Sequence, residues 1–145
     1  YDDIFANGTV VGWGRSEHSF DFNAPVLTPI EVLIPAVNSS YCYPTYPTLS
    51  GISSTNMFCG GYENQGKGPC TGDSGGGFYV LERSSKRFTV KGIVSSALLV
   101  NGHCDVNKFT LYTKVGVYVD WIKEKIDETK IKWKTAELKC TATNR

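Results

Sequence analysis

Excess charge of either sign is missing from this sequence. Its 15 basic and 14 acidic residues leave a formal net charge of +1. That balance gives no electrostatic reason to expect a nucleic acid or an anionic membrane as the main partner. Long apolar runs are missing too, and no stretch approaches the length needed to cross a bilayer. The opening Tyr1-Asp2-Asp3 does not read as a signal peptide, and the chain, starting without a methionine, reads as a piece of something longer. The five cysteines, Cys42, Cys59, Cys70, Cys104 and Cys140, include no CxxC pair, which argues against a zinc knuckle or a redox motif. The two histidines, His18 and His103, lack acidic or cysteine partners at ligand spacing. No metal site and no cofactor are therefore expected.

What is present suits one domain of ordinary size, able to bury about 68–70% of its unfolded surface. Asn7-Gly8-Thr9 and Asn38-Ser39-Ser40 are glycosylation acceptors in a chain that passes through a secretory pathway. Sequons together with cysteines spaced for loop closure predict a secreted, extracellular protein. An odd cysteine must be free, capped or paired outside the chain.

Short β-rich runs alternate with Gly, Pro, Ser and Asn clusters. Strands are expected at Thr9–Gly14, Val26–Val37, Asn56–Cys59, Gly77–Glu82, Phe88–Val94 and Thr110–Val115. Pro29 and Pro35 inside the second run point to an edge strand, a bulge or two short pieces. Ser84-Ser85-Lys86 reads as a hairpin turn. Strands of this length and spacing imply an antiparallel barrel or sandwich. From Val117 to Lys130 the apolar residues Val117, Trp121, Ile122 and Ile126 recur near a helical period. Residues 131–145 are lysine-rich and weakly patterned.

The chemistry concentrates in Gly68-Pro69-Cys70-Thr71-Gly72-Asp73-Ser74-Gly75-Gly76-Gly77. Glycines without side chains let a carbonyl approach the Ser74 hydroxyl. They also leave the Gly72 and Ser74 amides free to face a developing oxyanion, usually the largest single contribution to acyl transfer. A serine still needs a base, and no histidine here is recognisable as one. Gly61 to Gly68 nearly fits a phosphate loop, but it lacks the Ser/Thr that binds magnesium and no helix follows, so it reads as a surface loop.

Taken in order, these segments resemble the trypsin- and chymotrypsin-like serine proteases, from which the catalytic-triad template is drawn. Val11-Gly12-Trp13-Gly14 resembles the opening strand of the family's second barrel, and Cys59-Gly60-Gly61 its Met-Phe-Cys-Ala-Gly segment. Cys70-Thr71-Gly72-Asp73-Ser74-Gly75-Gly76 resembles the nucleophile loop, and Gly92-Ile93-Val94-Ser95 the strand that binds substrate backbone. Tyr112-Thr113-Lys114-Val115 with Tyr118-Val119-Asp120-Trp121-Ile122 resembles the last strand and C-terminal helix. Gly77, where the family usually has proline, resembles some arthropod secreted modular proteases.

The resemblance implies an all-β fold: a single six-stranded antiparallel β-barrel, the second of the family's two, with a C-terminal helix. Residues 1–130 would form that barrel and helix, and 131–145 a basic extension. It also implies the disulfides Cys42–Cys59 and Cys70–Cys104, while Cys140 has no counterpart. It places Ser74 at the nucleophile position, Gly72 in the oxyanion hole and Asp73 as partner of the ammonium released by zymogen cleavage. The substrate pocket would involve Gly68, Ser95, Ala97 and Thr110. Gly68 replaces the basal aspartate of trypsin-like members, so a lysine- or arginine-selective pocket is not expected. Thr110 stands where the family usually has glycine, and Ser96-Ala97 replaces Trp-Gly.

The triad histidine and aspartate belong to the family's first barrel, and neither of their motifs is in this chain. His18 and His103 read as loop histidines. Without a base the chain is not expected to be an enzyme by itself. The expected function is a non-catalytic protease homologue domain of a secreted protein, acting as a binding module for a protein partner. The alternative is the C-terminal half of an active serine endopeptidase whose first barrel is a separate segment, with Cys140 as a bridge to a second chain. Lys130, Lys132, Lys134 and Lys139 give a weak reason to expect a sulfated polysaccharide at the tail, although such runs are usually solvated faces.

Overall fold

The structure is a computed structural model that describes residues 7–14, 27–45, 55–100 and 103–142. Eight strands form: β1 Asn7–Gly12, β2 Ile30–Val37, β3 Met57–Gly60, β4 Gly77–Glu82, β5 Arg87–Ser96, β6 Leu99–Val100, β7 His103–Cys104 and β8 Thr110–Lys114. Six of them close an antiparallel barrel in the order β1-β2-β3-β8-β5-β4, and β6 pairs only with β7. Closure leaves the six without a free edge, which is how an all-β chain avoids pairing with its neighbours. A short helix, α1 (Ser39–Cys42), follows β2, and a long one, α2 (Val119–Ala142), follows a 3-10 turn at Val115–Tyr118.

Burial alternates along β1 and much of β5, as a strand's period of two requires, while β3 and β8 are buried on consecutive residues. Val10, Ile34, Phe58, Phe78, Val94 and Tyr112 point inward and form the core. Three of their rings meet in the middle of the barrel. Phe58 stacks on Tyr112 with centroids 5.1 Å apart, and Phe78 meets both rings edge-on, at 5.2 Å from Phe58 and 5.0 Å from Tyr112. Two glycines make room for them. A Cβ on Gly8 would collide with the Phe78 ring, and one on Gly92 would lie 2.6 Å from Phe58. A second cluster packs Phe109 and Leu111 against the buried Cys42–Cys59 disulfide. Each such crosslink typically contributes about 2–4 kcal/mol by restricting the unfolded chain.

The prolines of β2 act differently from the sequence expectation. Pro29 ends before the strand begins, and Pro35 lies inside one unbroken strand that is hydrogen-bonded on both sides rather than at an edge. Pro35 is tolerated because it sits where pairing changes hands. It faces Asn7, the first residue of β1, and pairing with β3 begins only at Ala36. The missing N–H therefore breaks no central ladder. The β4–β5 turn falls where expected, with Glu82 opposite Arg87 and Lys86 in the left-handed region at φ 53°.

The chain divides into two compact units, Tyr1–Val115 and Gly116–Arg145. The helix starts two residues later than Val117 and runs well past Lys130, to Ala142. Good helix formers and ion pairs at i,i+3 explain its length. Lys125 Nζ lies 2.8 Å from Glu128, Lys130 Nζ 3.6 Å from Asp127 and Lys123 Nζ 4.0 Å from Asp120.

Two stability tests follow from the packing. Phe78→Ala should cost about 3–5 kcal/mol, and Phe88→Ala, on the exposed face, about 0.5 kcal/mol or less, read as urea midpoints. The Tyr112 hydroxyl is buried and has no hydrogen-bond partner. Burial, and then the negative charge of Asp73, hold its phenol above the ordinary range. A raised folded-state value makes the neutral phenol a stabilising feature below about pH 10, lost as the unfolded tyrosine ionises at higher pH. Tyr112→Phe should therefore flatten the fall in stability above about pH 10 in chemical denaturation, with little loss at pH 7.

Candidate active site

The Pro69–Gly76 loop is tied at three points. The Cys70–Cys104 disulfide, with Cα atoms 5.5 Å apart, joins it to β7, and the Thr71 amide donates to Cys104 Sγ at 3.1 Å. Its own turns close through Asp73 N to Cys70 O at 3.0 Å and Gly76 N to Asp73 O at 2.9 Å. Beyond Ser74 it is clipped to β5, where Gly75 N donates to Val94 O at 2.9 Å and Val94 N to Gly76 O at 2.8 Å. Gly72 and Gly75 have φ of 102° and 86°, values that only glycine adopts without strain.

Asp73 is the pivot of this arrangement. Its Oδ1 accepts from Gly14 N at 2.8 Å and its Oδ2 from Cys70 N at 3.0 Å. A Cβ on either Gly12 or Gly14 would collide with the carboxylate. The Gly12-Trp13-Gly14 segment thus gives the carboxylate both its space and one of its donors. The family resemblance pairs Asp73 with an ammonium group released by cleavage. The structure supplies backbone amides instead, and the loop is ordered on them.

With Asp73 turned inward, Ser74 faces outward and is exposed. Three amides around it, those of Asp73, Gly75 and Gly76, are committed to carbonyls. Among the described residues, the Gly72 and Ser74 amides donate to no protein acceptor. Free amides on both sides of Asp73 are what oxyanion stabilisation requires.

A cavity of about 210 Å³ opens beside Ser74. Pro69, Cys70, Thr71, Gly72 and Ser74 form one wall, and Val94, Ser95, Ser96, Ala97, Leu99 and Cys104 the other. Among the described residues, no charged side chain lines it. Ser74, Gly72, Ser95 and Ala97 all line this one cavity. Gly68 and Thr110 lie outside this lining and beside each other, with the Thr110 hydroxyl 3.9 Å from where a Gly68 Cβ would be. Thr110 is 3% exposed, at the start of β8. Pro69, Thr71 and Leu99 were not anticipated. The signal for them was the Cys70–Cys104 pairing, which brings the neighbours of each cysteine to one place.

Other sequence candidates fall elsewhere. His18 lies outside the described residues, and His103 sits in β7 opposite Val100. Asn7 opens β1 and Asn38 precedes α1, both exposed. Asn38 Oδ1 accepts from Ser40 N at 2.9 Å and so caps α1. The phosphate-loop lookalike is a surface turn, in which Asn64 N and Gly66 N each donate to Asn107 at 3.0 Å.

Comparison with known proteins agrees with this geometry. Limulus clotting factor C from Carcinoscorpius rotundicauda is 33% identical over 119 residues, covering 79% of this chain and 11% of that protein. The chain therefore spans about a tenth of that relative's length. The Trypsin family model matches residues 2–122, which take in the whole barrel, the Ser74 loop and the first turn of α2. Matching over most of its length, and folded as one closed six-stranded barrel with a C-terminal helix, this chain belongs to the trypsin family of serine protease domains.

Proposed function

We propose that this chain is a non-catalytic serine protease homologue domain of a secreted protein, working as an interaction module. The observation that carries this reading is the outer face of β2-β1-β4-β5. Leu33 pairs with Thr9, Thr9 with Tyr79, and Tyr79 with Val90, so the four residues form one row across four strands. Leu81 and Phe88 pair beside that row. Leu33, Leu81, Phe88 and Val90 are all exposed, Phe88 by 63%. A contiguous apolar face of this kind marks a contact surface for another protein. Two disulfides and two exposed sequons support an extracellular setting.

Inactivity rests on proton transfer. Ser74 has its cavity and its oxyanion amides, but neither His18 nor His103 stands in the sequence setting of a triad histidine. Loss of the base from a triad removes about as much rate as loss of the whole triad. The cavity would then hold an uncharged side chain without cleaving its peptide bond.

The free Gly72 and Ser74 amides favour one second reading. They would serve the C-terminal half of an endopeptidase once a histidine-bearing segment is supplied.

A fluorophosphonate probe separates the two. On the first reading, the purified chain labels at Ser74 below about one ten-thousandth of the rate of a complete trypsin-like enzyme, and Ser74→Ala changes nothing. Labelling at a protease-like rate would sink it, and labelling restored only by an added base-bearing segment would establish the second. The contact face has its own test. Leu81→Glu with Phe88→Glu should lower the binding of an apolar dye such as ANS without lowering the urea midpoint.

A further inference from the structure

Helix α2 continues from the end of the family match at residue 122 to Ala142. Along it Ile122, Ile126, Thr129, Trp133, Ala136 and Cys140 follow one another in alternating steps of four and three residues. That spacing places them on one seam of a helix, in positions a and d of a heptad. The positions flanking the seam are Lys123, Lys125, Lys130, Lys132, Glu137 and Lys139, five lysines and one glutamate. The acidic residues Asp120, Glu124, Asp127 and Glu128 occupy the remaining positions.

This charge pattern selects among occupants. Two copies of α2 set seam to seam would oppose lysines to lysines, which disfavours self-association. A lipid surface calls for an apolar face at least about 100° wide. The seam is narrower, holds the small residues Thr129 and Ala136, and leaves Trp121, Ile131 and Leu138 on other faces. A helix carrying Glu or Asp beside its own apolar seam meets both requirements at once. Lys123, Lys125 and Lys130 can exchange partners, because their intrahelical ion pairs are solvent-exposed and worth little.

We propose that α2 is a docking helix for an acidic amphipathic helix of a partner protein, packed seam against seam with the partner's carboxylates on the flanking lysines. This is independent of whether Ser74 is catalytic.

The test uses the full chain and a dye-labelled synthetic heptad peptide with Leu at a and d and Glu at e and g, followed by fluorescence anisotropy. The acidic peptide should bind, and the same peptide with Lys at e and g should not. Replacing Lys125, Lys132 and Lys139 by Glu should weaken binding of the acidic peptide by about tenfold or more. The same variant should gain affinity for the lysine peptide, a swap that loss of folding cannot mimic. Circular dichroism checks that helicity is unchanged. Equal binding of both peptides, or of neither, overturns the proposal. So does α2-dependent binding to phosphatidylserine vesicles, or α2-dependent dimerisation in sedimentation.

Discussion

The site depends on one carboxylate accepting two backbone hydrogen bonds. Asp73 joins Gly14, just past β1, to Cys70 at the start of the nucleophile loop. Its neighbours along the chain are the two amides left free, so the direction in which Asp73 points decides where those amides point. The constraint reaches back into sequence. Gly12 and Gly14 must lack side chains or the carboxylate cannot enter, and Gly72 must adopt positive φ to let the chain turn over Gly14. Hydrogen bonds from N–H donors to a carboxylate are stronger than those to a neutral acceptor. The loop can therefore be ordered by the barrel's own backbone, with no ammonium group among the contacts described.

That arrangement separates two properties usually discussed together. Binding needs a cavity and free donors, and both are found among residues between Pro69 and Cys104. Turnover needs a proton acceptor beside the Ser74 hydroxyl, which is a different kind of requirement. A domain can keep the first while lacking the second, because the loop geometry is held by disulfide, glycine and Asp73 rather than by contacts to a base. Retention of an intact nucleophile loop is thus weak evidence for activity in this chain. The loop has a structural reason to persist, through its bonds to Val94 in the barrel wall.

Much of this was legible in the residues, and the exceptions have physical causes. The six barrel strands were all located because alternation and turn residues bound each of them. The continuity of β2 was hidden, since a proline in a strand is harmless or disruptive according to its register, and register is not local. The β6–β7 pair has only two residues in each strand, too few for any periodicity to show. Ser74, Gly72, Ser95 and Ala97 sit in distinctive runs, which is why the residues alone single them out. The donors to Asp73 were not, because Gly14 and Cys70 act through backbone N–H groups that every non-proline residue carries. Thr110 lies beside Gly68 and outside the lining of the cavity next to Ser74.

The end of the helix was missed for another reason. Its seam is thin, and lysines crowd both sides, so a search for a broad apolar face finds only a basic tail. A helix can nevertheless be stabilised by exposed i,i+3 ion pairs and good helix formers without a wide buried stripe. The same composition makes α2 poor at pairing with itself and poor at entering lipid, while leaving a narrow apolar line between two rows of positive charge. Composition alone registers only the lysines. Placing them on a helix shows that their arrangement, more than their number, carries the specificity.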